Sequence, residues 1–255
     1  MTEKTTPPLP VLVVLHQEHS TPGRVGWMLE QRGHALDIRR PRFGDPLPPT
    51  LSGHAGAVIF GGPMSANDDD DWLAREIDWI DVPLKEEKPF LGICLGAQMM
   101  VRRLGGRVFR HERDEVEIGW YPLAATEIGR RLGTWPSRVY QWHSEGFDLP
   151  TGAQLFATGE RFPNQAIAVG PAAWGLQFHP EVTWAMMNRW TTRAHQRLTL
   201  PGAQPRRSHF EGRSLWDGET VGWAETFMDR WLEGRAAAAP ALPARNETTP
   251  PPGGR

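Results

Sequence analysis

Three short, uninterrupted apolar runs constrain this chain more than any other feature: VLVVL (Val11 to Leu15), the run in AGAVIFGGP that ends at Phe60, and PFLGI (Pro89 to Ile93). A run of four or five apolar residues without alternation reads as a strand covered on both faces. Between the runs lie GRVGWMLEQRG, with Val25 and Leu29 one turn apart and Gly33 as a stop, and NDDDDWLAREIDWI, with Leu73, Ile77 and Ile80 on one helical face. Short apolar strands alternating with helices predict an α/β fold, a mostly parallel sheet with helices on both sides.

The pattern changes from about Arg107 to Gln177, where VEIGWYPL, RVYQWH and AIAVGPAAWGLQFH predict further strands and hairpins. Helical spacing returns in TWAMMNRWTTRAHQRL and in ETVGWAETFMDRWLEG. We expect residues 1–10 to be a flexible N-terminus, 11–234 one domain with 198–234 as a C-terminal helical extension, and the Pro- and Ala-rich 235–255 a disordered tail. The twelve tryptophans, against two tyrosines, are read as aromatic packing of helices.

Charge excludes more than it suggests. With 28 basic and 30 acidic residues the net charge is −2, so no overall field draws the chain to nucleic acid or a membrane surface. The clusters RRPRFGDP and RRSHFEGR lack the aromatic interleaving of a nucleic-acid groove. No apolar stretch approaches the ~18 residues of a membrane span, MTEKTTPPLP has no signal-peptide core, and a lone cysteine forms no internal disulfide. The expected compartment is the cytoplasm. The acidic run Asn67 to Asp71 is read as the first turn of a helix behind an Asn cap, and HERDE (His111 to Glu115) as a solvated turn, neither as a metal site.

The lone cysteine sits in KPFLGICLGAQMMVRRLGG, between an apolar run and a helix carrying Ala97, Met100, Val101 and Leu104 on one stripe. Glycines at 92 and 96 permit a sharp strand-turn-helix corner, and a thiol there meets the free amides and dipole of a helix N-terminus, which favour an anion. This is the cysteine form of the nucleophile elbow, in which the next residue, Leu95, offers its amide to an oxyanion. On this segment alone a buried, inert thiol stays an equal alternative. A base is supplied by WGLQFHPEVT: Pro180 biases His179 toward extended backbone, and in an extended chain Glu181 lies on the same side as His179, where it can orient the imidazole.

GICLGAQ followed some eighty residues later by GLQFHPE resembles the class I glutamine amidotransferases, over about Val11 to Arg197. The resemblance implies a flavodoxin-like fold and hydrolysis of the glutamine side-chain amide to glutamate and ammonia. It also implies Cys94 as nucleophile, His179 as acid/base and Glu181 as orienting carboxylate. IFGGPMS matches the family's oxyanion loop, with Gly62 as a donor beside Leu95. Gln98, and Ser144 and Glu145 in QWHSEGF, match segments that position the substrate, while His143 is read as packing. No cofactor is implied. Ammonia is expected to pass to a separate synthetase subunit, since no G-x-x-x-x-G-K-[ST] or other ATP loop is present and the residues after Arg197 are too few for a synthetase domain. GGPMSANDDDDW and QWHSEGFDLP look closest to stand-alone domains similar to the guanylate synthase glutaminase. The same triad suits a γ-glutamyl peptidase acting on glutathione-like conjugates, and a non-catalytic regulatory subunit is the alternative outside enzymology.

Overall fold

The structure, a computed structural model, describes residues 7–234; the predicted tail and residues 1–6 of the predicted flexible N-terminus lie outside them. The first half alternates β1 (Val11–Val14), α1 (Gly23–Gln31), β2 (Leu36–Arg39), β3 (Gly56–Ile59), α2 (Asp71–Trp79), α3 (Asp81–Lys85), β4 (Phe90–Ile93) and α4 (Leu95–Arg103). The middle is strand-rich: β5 (Val108–Arg110), β6 (Glu117–Pro122), β7 (Ala124–Ala125), the short α5 (Glu127–Arg131), β8 (Arg138–His143), β9 (Glu145–Phe147), β10 (Gln154–Thr158), β11 (Ala166–Val169) and β12 (Ala173–Leu176). Two helices close the described chain, α6 (Trp184–Arg193) and the 27-residue α7 (Arg206–Leu232).

The main sheet runs β2-β1-β3-β4-β12-β11-β10-β7. Its first five strands are mutually parallel and its last three antiparallel. The parallel part follows the flavodoxin-like 2-1-3-4-5 order, with β12 in the fifth place. Alternate strand residues feed two cores. Val11, Val13, Val58, Leu91 and Leu176 pack with Met28 and Leu29 of α1 and Phe227, Met228 and Trp231 of α7. Leu12, Val14, Ala57, Ile59 and Phe90 pack with Leu73 of α2 and Ala97, Met100 and Val101 of α4. Helices therefore cover both faces, and each buried Val, Leu, Ile, Phe or Met among these contributes roughly 1.5–3 kcal/mol. The C-terminal helix α7 belongs to the first core, and Arg32 of α1 ties it down through Glu225 and Asp229 at 2.9 and 2.7 Å.

Two sequence expectations are corrected. Asn67 does not cap α2: the preceding residue is Asp70, and Asn67 instead bonds the Val108 carbonyl and Arg102. Those two contacts join the loop after β3 to β5 and α4, a tertiary use that outweighs capping. Of the predicted middle hairpins, β11 and β12 form one, but β6 pairs antiparallel with β8 across β7 and α5, and β5 with β9, as two separate ribbons. The β6–β8 ribbon carries Trp120 and Tyr140 into a third core with Met186, Met187 and Trp190 of α6, which is where much of the tryptophan is spent.

Candidate active site

Strands β1, β3, β4 and β12 deliver Leu15, Gly61, Cys94 and His179 beyond their carboxyl ends, the edge at which ligands bind in open α/β sheets. Cys94 stands between β4 and α4 with φ 52° and ψ −104°, a conformation that costs a non-glycine residue on the order of 1–3 kcal/mol. Its amide donates to the Leu176 carbonyl at 2.7 Å and its carbonyl accepts from Gln98 at 3.0 Å, so both neighbours of the corner hold it. The flanking glycines are needed for close approach. A Cβ on Gly96 would lie 2.1 Å from the Ile59 carbonyl oxygen, and one on Gly92 2.5 Å from the backbone of Gly96.

His179 and Glu181 are both buried, and His179 Nδ1 donates to Glu181 Oε1 at 2.7 Å. The backbone reason differs from the extended-chain argument. Strand β12 ends at Leu176, and Pro180 and Glu181 occupy a turn closed by the Val182 amide on the His179 carbonyl at 3.5 Å. The turn, rather than strand alternation, brings the carboxylate to the ring. Arg24 braces it, bonding the Glu181 carbonyl through its amide at 2.8 Å and the Pro180 carbonyl through its guanidinium at 3.2 Å while paired with Asp217 of α7 at 2.8 Å. Trp190 stands edge-on to the imidazole with centroids 5.0 Å apart.

With Nδ1 engaged, His179 Nε2 has no hydrogen-bond partner among the described residues. Burial works against a charged imidazole here, but the charges of Glu181 and then Cys94 outweigh it and raise the His179 pKa to about 10. A Cβ on Gly61 would touch His179 Cε1 at 3.0 Å and Cys94 Cβ at 3.5 Å, so the imidazole and the thiol stand side by side beneath the 61–62 loop.

Cys94, His179, Glu181, Gly61, Gly62 and Ser144 share one cavity of about 950 Å³. The Gly62 amide, and that of Leu95 at the first position of α4, donate no hydrogen bond among the described residues. Two other predicted residues lie behind the wall. Gln98 is buried and donates to the Glu145 carbonyl at 2.9 Å and to Gln177 at 3.2 Å. Glu145 keeps its carboxylate 3.9 Å from Arg110. His143 is buried between Glu117, the Glu145 carbonyl and the Phe162 ring. The HERDE turn is exposed at Glu112, Arg113 and Asp114, while its ends are half-buried, His111 against Phe162 and Glu115 paired with Arg161, and Asp114 reaches the cavity rim. Among the described residues no three His, Cys, Asp or Glu side chains converge as metal ligands, and no helix is long and apolar enough to cross a membrane.

The family description "Glutamine amidotransferase class-I" matches residues 28–190. The chain belongs to that family. Among its relatives, the glutamine amidotransferase-like protein YfeJ of Salmonella typhimurium is 30% identical over 181 residues, covering 67% of this chain and 74% of that protein. The glutamine-hydrolyzing GMP synthase of Porphyromonas gingivalis is 36% identical over 141 residues, 53% of this chain but only 26% of the synthase. A glutamine amidotransferase structure from Methylobacillus flagellatus superposes with a TM-score of 0.83 at 26% identity, covering 92% of this chain and 98% of that one. One from Thermotoga maritima superposes with 0.79 at 31% identity, over 88% and 98%.

This amidotransferase-family chain also holds site residues the sequence reading missed. His16 is fully buried, 2.8 Å from Glu76 through Nε2 and 3.2 Å from the Gly61 carbonyl through Nδ1. Burial disfavours its charge, but Glu76 more than compensates and its pKa is raised. Its position just past the VLVVL strand was the available signal, because strand ends in such sheets face the site. His16 stands behind the wall, whereas Arg110, Trp142, Trp190 and Arg197 line the cavity themselves but carry no local pattern.

Proposed function

We propose that this chain hydrolyses the side-chain amide of glutamine through a thioester on Cys94, passing ammonia to a separate synthetase subunit. The observation that carries this reading is an imidazole held by a buried carboxylate on one side, with its other nitrogen unpartnered beside the only thiol. The Cys94 thiolate attacks Cδ, and the oxyanion forms against the Gly62 and Leu95 amides. As the C–N bond breaks, the His179 imidazolium gives its Nε2 proton to the departing nitrogen and ammonia leaves. A water then passes a proton to the neutral imidazole and attacks the thioester carbonyl. Breaking the C–S bond releases glutamate and restores the thiolate. Glu181 keeps the ring in register and stabilises the imidazolium throughout.

The direct test is release of glutamate and ammonia from glutamine by the purified chain. We expect kcat/KM to fall as pH rises through about 10, where His179 loses the proton it must donate. No glutamate from glutamine or any γ-glutamyl amide would favour a regulatory role instead.

The 61–62 loop yields a further expectation. A trans peptide directs its carbonyl and amide oppositely, so a His16 bond on the Gly61 carbonyl fixes the direction of the Gly62 amide. His16→Gln should lower kcat on the order of 10²-fold, as a small misplacement near reacting atoms does, with KM little changed. An equal loss in kcat and folded fraction would reduce His16 to a core residue.

A further inference from the structure

The cavity is larger than free glutamine requires. At about 950 Å³ it lies near the top of the roughly 300–1,000 Å³ range of pockets that enclose drug-sized ligands. Five arginines line it: Arg42, Arg110, Arg189, Arg193 and Arg197. The lining carboxylates are Glu18, Asp114 and Glu181, the last engaged by His179. Arg189 donates to the His19 carbonyl at 2.8 Å, and Arg42 lies 5.9 Å from the Phe43 ring centre. Arg110 is 3.9 Å from Glu145, too far for a hydrogen bond.

Arg197 is the most informative of the five. It is half-buried in the 3-10 turn His195–Thr199; its backbone bonds Ala194 and Leu200, but its guanidinium has neither hydrogen bond nor carboxylate partner among the described residues. Burial and the neighbouring Arg110 both work against its charge, and only Cys94 favours it, so its pKa is lowered. Two cations facing one cavity, one of them half-buried without an acid, are costly until an anion joins them. A planar guanidinium suits a carboxylate, which it can bind in bidentate fashion.

We propose that Arg197 and Arg110 bind a carboxylate on the amine half of a γ-glutamyl conjugate, so that the same site takes γ-glutamyl amino acids or peptides beside free glutamine and favours those that carry this carboxylate. This rests on the thioester chemistry above, with one change. Attack of Cys94 at Cδ still breaks the C–N bond and His179 still protonates the leaving nitrogen, but the product released is an amino acid or peptide amine. Water then hydrolyses the thioester to glutamate as before. The other source of a carboxylate is the α-carboxylate of the glutamyl half, common to every such substrate.

Two measurements separate these cases. The first compares kcat/KM for γ-glutamylglycine and γ-glutamylglycinamide, which differ only in a carboxylate on the leaving amine. Wild type should favour γ-glutamylglycine by about tenfold or more, and Arg197→Gln or Arg110→Gln should bring that ratio close to one. A wild-type ratio near one, or variants that slow both substrates equally as a contact to the α-carboxylate would, overturns the assignment. The second needs no turnover: alkylation of Cys94, the only cysteine, by anionic iodoacetate against neutral iodoacetamide. Arg197→Gln should lower the iodoacetate rate about tenfold relative to iodoacetamide. Equal slowing by both reagents means that Arg197 only supports the thiolate or the fold, and overturns the proposal. An alkylation bias without any hydrolysis would instead remove the hydrolase reading and keep the anion site.

Discussion

Replacing Cys94 by serine leaves the fold intact and lowers hydrolysis of glutamine or any γ-glutamyl amide by on the order of 10⁴- to 10⁶-fold, the range seen when a nucleophile that works as part of a unit is removed. The size of the effect follows from the electrophile. A carboxamide resists attack by a neutral hydroxyl, whereas sulfur at a helix N-terminus beside an imidazole that takes and returns its proton is a far stronger nucleophile. Serine fills almost the same volume and keeps the backbone bonds from Cys94 to Leu176 and Gln98, so thermal unfolding should move little. Glutamate release and a melting curve on the same preparation check both halves. Full activity in the variant would end the covalent account; a melt lowered as far as activity would make Cys94 structural.

The second large effect is on stability. Gly96→Ala puts a methyl where the Ile59 carbonyl oxygen lies 2.1 Å away, and that oxygen belongs to the central strand β3. Neither backbone can yield without separating α4 from the sheet, so we expect a loss of about 3–5 kcal/mol or failure to accumulate as folded protein. Gly218→Ala is the matched control. That glycine is exposed in α7 with nothing within 4 Å of the added Cβ, and the change should stabilise by roughly 0.5–1 kcal/mol. Urea unfolding of the two variants should therefore give shifts of opposite sign. Equal small shifts would mean that the close approach of α4 to β3 is not required.

The parallel half of the sheet was legible because its signals are local. VLVVL and PFLGI are apolar throughout since helices cover both faces, and the stripe from Ala97 to Val101 faces the second core. The antiparallel half was legible as strands but not as pairings. Nothing in the sequence says that β6 meets β8 across α5, because those contacts are decided by an aromatic core assembled with α6. The candidate site divides along the same line. Cys94, His179 and Glu181 stand out through flanking Gly and Pro, although Pro180 makes a turn where extended chain was expected. His16 and Arg197 stay hidden, since their importance lies in being buried beside the Gly61 carbonyl and beside Arg110. Burial of a polar group is set by tertiary packing, which a single sequence does not display.

The central claim is a covalent bond between Cys94 and a glutamyl carbonyl carbon, and acid-quenched intact-mass measurement during turnover of a γ-glutamyl amide tests it most directly. The account predicts a mass increase of one γ-glutamyl group, mapped to the Cys94 peptide and absent from Cys94→Ala. Rapid hydrolysis with unmodified Cys94 at every quench time, and undiminished turnover by Cys94→Ala, would contradict it.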